Sequence, residues 1–406
     1  MAPVTSPYRR VLSIPGAVAF SLTGVVARLP ISMISLGIVL LVSARTGSYS
    51  QAGAVSAAYV AATAIGAVPI ARLVDRRGQS VVLGPAVTLS VTALAMLMVA
   101  VERSWPTPWP QLFAALSGLT MPNVGAAVRA RWAYVVEERT LLDTAFALEA
   151  VNDEAVFIVG PTTVTLLATA VHPLAGLVAA GCAALAGTWF LVSQRRTEPR
   201  VHGEHHDVGN RPPLRFWQMS PLLVGAVMLG VLFGGNEVAV VAFCDEAGNR
   251  ALAGVMLAIW ALGSLLSGLV VGTIKFRRTP ATRYRAGLFA LAVVMMPLPF
   301  VPNVVVLGGV LFVAGFAISP TLIAAVSWIE AIVPAARLNE GMTIFTTGLV
   351  LGVAPGAALV GAVVDAAGAS RAFLVPVAAG FLATVAALWR TEWVAHARNE
   401  AGDARS

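Results

Sequence analysis

Long apolar runs alternate along the chain with short polar turns, and the runs are the right length to matter. About 20 apolar residues in a row span the hydrocarbon core of a bilayer as a helix, and twelve such runs can be placed, near residues 13–43, 50–74, 80–101, 109–130, 144–170, 173–193, 219–243, 251–275, 283–301, 303–329, 339–364 and 371–390. The longest polar interruption, "QRRTEPRVHGEHHDVGNRPPLRFWQ" at 194–218, divides six runs from six. The pattern therefore predicts an N-terminal six-helix bundle at 1–193, a linker loop at 194–218, a C-terminal bundle at 219–390 and a polar tail at 391–406. No other connection exceeds roughly a dozen residues, too few for a folded soluble domain, so the chemistry must sit within or between helices. Six plus six fits two parallel bundles that each contain inverted repeats. A faint echo agrees: "RTLLDTAFALEAV" at 139–151 opens the fifth run and "RLNEGMTIFTTGLV" at 337–350 opens the eleventh.

Composition confirms the solvent. The 406 residues are 58% hydrophobic and 12% charged, with mean hydropathy +0.82, where soluble domains run near a quarter charged. Lys and Arg total 27 against 20 acidic residues, a surplus that in a soluble protein points to nucleic acid. Here it is explained by position, and no nucleic acid is expected. With the N-terminus cytoplasmic, alternate connections are cytoplasmic, and that side collects Arg9, Arg10, Arg76, Arg77, Arg195, Arg196, Lys275, Arg277, Arg278, Arg283 and Arg285. The other side holds only Arg45, Arg103, Arg250 and Arg371, while Arg28 lies mid-run. This asymmetry predicts a multi-pass protein of the cell membrane with both termini inside. The first run, about 30 residues without a small-residue cleavage site, is expected to be retained as a helix. Cys182 and Cys244 lie in or beside apolar runs without metal-ligand spacing. His202, His205 and His206 with Glu204 and Asp207 crowd the linker loop, but on a polar loop they read as a solvated segment, and no metal or cofactor is expected. None of the five histidines falls inside a run, so the constellation that an embedded enzyme would need is missing and no enzyme is expected.

One charged turn carries a signature. In "ARLVDRRGQS", residues 71–80, Leu73, Asp75, Arg76 and Gly78 match a pattern of Gly, small residue, Leu, Asp, Arg, any residue, Gly and a basic residue; Ala71 and Gln79 depart from it. Together with the span count, the central loop and the charge asymmetry, this turn resembles that of the major facilitator superfamily. The resemblance implies an all-α membrane fold of 12 transmembrane helices, two six-helix bundles related by pseudo-two-fold symmetry, working as a monomer by alternating access. It also implies that Asp75 is a conformational switch. Physically, Gly78 permits a tight reversal, and Asp75 can face the positive end of a neighbouring helix, or Arg129 or Arg131. A solvated turn that only orients insertion is the other reading. The similar phrase "GAVVDAAGAS" at 361–370, with Asp365 and Gly368, falls on the opposite side and reads as a turn signal.

An ionisable residue deep in a span is costly unless paired or facing water, so each is a functional candidate. These are Arg28, Glu149, Asp153, Glu154 and Glu237. Glu149 and Asp153, four apart, share a helical face, with Glu154 rotated about 100° from Asp153. Neighbouring carboxylates in low dielectric resist joint ionisation, as proton coupling requires. Arg28 is the expected counter-charge. Glu149 reads as the acid of a salt-bridge staple, and Asp153 as either staple or coupling group. Glu237, with no obvious basic partner in sequence, reads as a cavity acid or as a buried protonated acid hydrogen-bonded to Asn236 or a helix carbonyl. Gly160 and Pro161 are similar to the Gly-Pro bend of drug:proton antiporters in the superfamily, although the second glycine pair is missing and Met121 stands where an Arg is usual. Of the aromatic residues Phe233, Trp260, Trp328 and Phe345, Trp260 is the candidate for a drug-like pocket; an interfacial belt explains the others.

These readings converge on a secondary transporter exporting small hydrophobic or cationic compounds, with the proton gradient as energy source and no cofactor. Its expected partners are a small-molecule substrate and the lipid bilayer. The alternatives are an uptake carrier for a metabolite or sugar and a non-transporting membrane sensor.

Overall fold

The computed structural model describes residues 5–199, 216–271, 278–333 and 338–388. The histidine-rich part of the linker and the polar tail lie outside the described residues. Among those described, the ordered elements are all helical. They are α1 (Thr5–Leu12), α2 (Ala17–Thr46), α3 (Tyr49–Arg77), α4 (Gln79–Glu102), α5 (Trp109–Thr120), α6 (Val124–Val135), α7 (Arg139–Ala170), α8 (Ala175–Ser193), α9 (Phe216–Glu246), α10 (Leu252–Val271), α11 (Pro280–Met295), α12 (Val304–Ile332), α13 (Leu338–Ala367), α14 (Ala369–Ala372) and α15 (Leu374–Leu388), with two 3₁₀ turns at Arg195–Thr197 and Leu298–Phe300. In a bilayer every backbone group must be satisfied within its own segment, which is why apolar runs of this length fold as helices.

Nine helices among the described residues are long and apolar enough to cross a membrane: α2, α3, α4, α8, α9, α10, α12, α13 and the α14–α15 pair. The other expected spans are modified. The fourth is broken at Met121-Pro122-Asn123 into α5 and α6, and Asn123 restarts the helix by accepting a hydrogen bond from the Ala126 N–H at 3.1 Å. The fifth, α7, carries Glu149, Asp153 and Glu154. The ninth, expected to reach residue 301, stops at Met295, where Pro297 and Pro299 turn the chain into the 3₁₀ segment. A short helix that the hydrophobic pattern did not predict, α1, precedes the first span and meets it through an elbow at Gly16 (φ 84°).

The two charged-turn phrases have one geometry. Gly78 (φ 89°, ψ 159°) and Gly368 (φ 85°, ψ 165°) each end one helix and start the next, and each donates its N–H 2.8 Å to the carbonyl four residues back, of Val74 and Val364. A carboxylate then caps each new helix: Glu198 accepts from the Ser80 N–H at 2.7 Å and Glu246 from the Ala369 N–H at 2.8 Å.

The chain divides into two compact units: residues 1–206 with 248–258, and residues 207–247 with 259–406. Unit 1 is built around α2, which packs on α8, α7, α3 and α6. At one end Val11, Phe20, Val128, Trp132 and Leu191 form a buried cluster in which Phe20 and Trp132 meet edge to face at 4.6 Å. Helices in lipid gain nothing from hiding apolar surface, so they associate through small residues that let backbones touch. Gly187 on α8 lies against the backbone of Ala27, and Gly118 on α5 against the Tyr59 carbonyl. Unit 2 repeats the device between α9 and α13, where Gly230 and Gly234 face the Leu349 and Val353 carbonyls while Gly352 and Gly356 face those of Val227 and Val231.

Candidate functional site

The charged residues expected mid-span meet inside unit 1. Arg28 projects from α2, which lacks any other charge until Arg45, and its side chain is 1% exposed. Its Nε donates to the Gly24 carbonyl at 3.0 Å, Nη1 to Asp153 Oδ1 at 2.7 Å, and Nη2 to Glu149 Oε2. Glu149, fully buried on α7, is saturated from the other side: Oε1 accepts from Ser21 Oγ at 2.8 Å and from Trp132 Nε1 at 2.9 Å. Asn152 Nδ2 reaches Ser21 Oγ at 3.3 Å. A buried ion pair holds only when its geometry is good and its remaining lone pairs are bonded, and Arg28–Glu149 meets both conditions. The pair ties α2, α6 and α7 together.

Asp153, one turn on, differs. Its side chain is 32% exposed, and its second oxygen is held by Arg129 Nη2 from α6. With both arginines counted, Glu149 and Asp153 are balanced two against two, which corrects the expectation of two carboxylates sharing one counter-charge. Glu154, partly buried beside Asp153, forms no ion pair among the described residues. Ser21, Trp132 and Asn152 were not legible as ligands of Glu149 from sequence, because a hydroxyl, an indole and an amide are ordinary in a span until a charge is placed beside them.

The expected switch is arranged otherwise. Asp75 is exposed, with no hydrogen bond or ion pair among the described residues, and Arg76 is exposed beside it. Its two expected partners are engaged elsewhere. Arg129 bonds Asp153, and Arg131, fully buried, donates to Gln79 Oε1 at 2.8 Å and to the Gln194 carbonyl and Thr197 Oγ1 at 2.9 Å each. The carboxylate on the α4 N-terminus is that of Glu198. The reason is helical register: Asp75 lies on the outward face of the last turn of α3.

Gly160 and Pro161 lie within an uninterrupted α7. Gly160 packs directly on Ser32 of α2, whose Oγ donates to the Val156 carbonyl at 2.8 Å, and the Pro161 carbonyl faces Gly254. Gly160 thus provides a close approach of α2 to α7.

In unit 2, Glu237 is partly buried on α9, one turn past Phe233. Phe233 meets Trp260 of α10 edge to face at 5.5 Å. Asn236 does not hydrogen-bond Glu237: it is fully buried, and neither amide atom has a partner among the described residues. The Trp260 Nε1, also buried, is unpartnered in the same sense. Trp328 is taken up by Tyr284 at 5.8 Å and by the Arg285 guanidinium 5.5 Å from its ring, and Phe345 is buried. No group of three or more His, Cys, Asp or Glu among the described residues is placed to hold a metal ion.

The sequence matches the Major Facilitator Superfamily over residues 20–316. No curated protein matches it. Its fold is similar to that of the nucleoside transporter NupG, at 12% identity over 91% of this chain and 98% of that one, with a TM-score of 0.69. It is also similar to a POT family transporter in complex with 5-aminolevulinic acid, at 14% identity, 91% and 94% coverage and a TM-score of 0.65. A bacterial metal transporter aligns at 16% identity, 91% and 96% coverage and a TM-score of 0.61. Likeness at such identity is one of fold, and the cargo differs among the three. With a family match across most of the chain and transporters sharing its helical fold over 91% of its length, this multi-pass membrane protein belongs to the major facilitator superfamily and is a transporter rather than an enzyme.

Proposed function

We propose that the chain is a proton-coupled exporter of small hydrophobic or cationic compounds, working as a monomer by alternating access across the cell membrane, with twelve spans and both termini cytoplasmic. The observation that carries the reading is Asp153: beside the buried Arg28–Glu149 pair it is partly exposed, adjoins Glu154, which forms no ion pair among the described residues, and is held by two arginines. A carboxylate so placed can exchange a proton or a cation while Arg28–Glu149 keeps the bundle intact. The proton gradient is the energy source, and no cofactor takes part. The switch role of Asp75 is retained for a state in which α3 meets other partners.

A second reading, uptake of a hydrogen-bonding metabolite, is favoured by the buried Asn236 amide and Trp260 indole N–H in unit 2, which have no hydrogen-bond partner among the described residues. Such groups recognise polar solutes.

The two are separated in acidified inside-out vesicles with a dye reporting lumenal pH. Lipophilic cations, neutral drugs, nucleosides and sugars are added to wild type and Asp153→Asn. Export predicts alkalinisation on adding a cation, abolished in the variant. A response to nucleosides or sugars alone, unaffected by the variant, overturns it.

A further inference from the structure

The two oxygens of Asp153 are held by arginines of very different character. Arg28 is 1% exposed, all three of its nitrogens are bonded, and withdrawing it would strand the fully buried Glu149. Arg129 is 42% exposed, and Asp153 is its only hydrogen-bonding partner among the described residues. It projects from α6 close to Gly125, where an added Cβ would touch both arginine side chains, 3.4 Å from Arg129 Nη1 and 3.4 Å from Arg28 Cδ. One arginine is thus built in, and the other rests on the carboxylate from its solvent-exposed side.

We infer that Arg129 is a tethered counter-ion of Asp153 whose place a protonated amine or guanidine takes, so that this residue sets the affinity of the transporter for cations. The inference rests on Asp153 being the exchangeable carboxylate of the proposed function. Arg129 is a positioning residue and acts through Asp153. Charge defines the class of ligand. With Arg129 in place the cluster of Arg28, Arg129, Glu149 and Asp153 is neutral; with Arg129 swung away it is one negative charge in excess, and Glu154 adjoins it. Of the other elements packed on α7, α8 bears no charged residue and α1 bears Arg9 and Arg10, the latter paired with Glu138. A monocation therefore restores neutrality and an anion is excluded. The hydrogen bond defines the class further: a cation carrying N–H groups reproduces the charge-assisted bond that Arg129 gives up, whereas a quaternary cation supplies only its charge.

The test is equilibrium binding of benzamidinium, with tetraphenylphosphonium as the cation lacking N–H, to the purified full-length protein. Arg129→Ala is expected to bind benzamidinium on the order of tenfold more tightly than wild type, the scale of one charge-assisted hydrogen bond. The gain for tetraphenylphosphonium is expected to be smaller, Arg129→Lys to restore the wild-type affinity, and Asp153→Asn in the Arg129→Ala background to abolish the gain. A merely structural arginine would lower the melting temperature without tightening binding. Equal, weaker or undetectable benzamidinium binding by Arg129→Ala overturns the inference. If that variant does not fold, Arg129→Gln takes its place under the same criteria. Tightening without benzamidinium-driven proton movement in vesicles would overturn the export reading and leave this inference standing. Proton-coupled export with unchanged affinity in Arg129→Ala would do the reverse.

Discussion

Arg28 and Glu149 show what a single buried charge demands. Neither is tolerable alone in a helix bundle, and together they are held by groups from α2, α6 and α7. Glu149→Gln removes the charge that balances a fully buried guanidinium, and breaking such a pair costs about 3–5 kcal/mol. A large fall in melting temperature of the purified protein is therefore expected, with a similar fall for Arg28→Ala. Replacing both residues together by Met and Leu is expected to recover much of the loss, since two apolar side chains leave no orphaned charge. Double substitution no better than the singles would deny the pair its role as a staple. The staple was legible in sequence, because Arg28 is the basic residue that lies mid-span, away from any span end, and two acids share a face of α7. Arg129 as second partner was not: it lies at the end of a span, where an arginine is ordinary, and only the orientation of α6 assigns it to Asp153 rather than Asp75.

At the scale of elements, the apolar runs marked the nine helices long and apolar enough to cross a membrane to within several residues, since burial of the backbone in lipid leaves the helix little competition. What the runs could not give were the interruptions. The break at Met121-Pro122-Asn123 and the early end of α11 come from prolines that a hydropathy average passes over. The echo between residues 71–80 and 361–370 was legible as a turn, and the structure adds that both turns are one conformation that favours glycine. Gly78→Ala and Gly368→Ala are each expected to cost about 1–3 kcal/mol for an L residue held at such a φ, read as lower melting temperatures. Transport rates at a temperature where both variants are folded then separate the turns. If the turn after α3 takes part in switching, only Gly78→Ala slows flux; equal rates would make both turns purely structural.

At the scale of the whole molecule, the distribution of arginines is a statement about sides. In a chain with Cys182 and Cys244 replaced by Ser, Arg77→Cys is expected to react with an impermeant maleimide only in inside-out vesicles, and Arg103→Cys only in right-side-out ones. Reaction of both from one side would overturn the proposed orientation. Cargo was beyond the sequence for a physical reason: specificity depends on the shape enclosed by helices, and a side chain such as Asn236 looks like an ordinary core residue until it is found buried with no hydrogen-bond partner among the described residues. The glycines between α9 and α13 have a mechanical consequence. Where carbonyl meets glycine there are no side chains to change rotamer, so this seam can slip or stay but cannot be remodelled in small steps. As long as the seam holds, the two helices are expected to move as a single plank, so that a shift of α13 carries Glu237 of α9 with it.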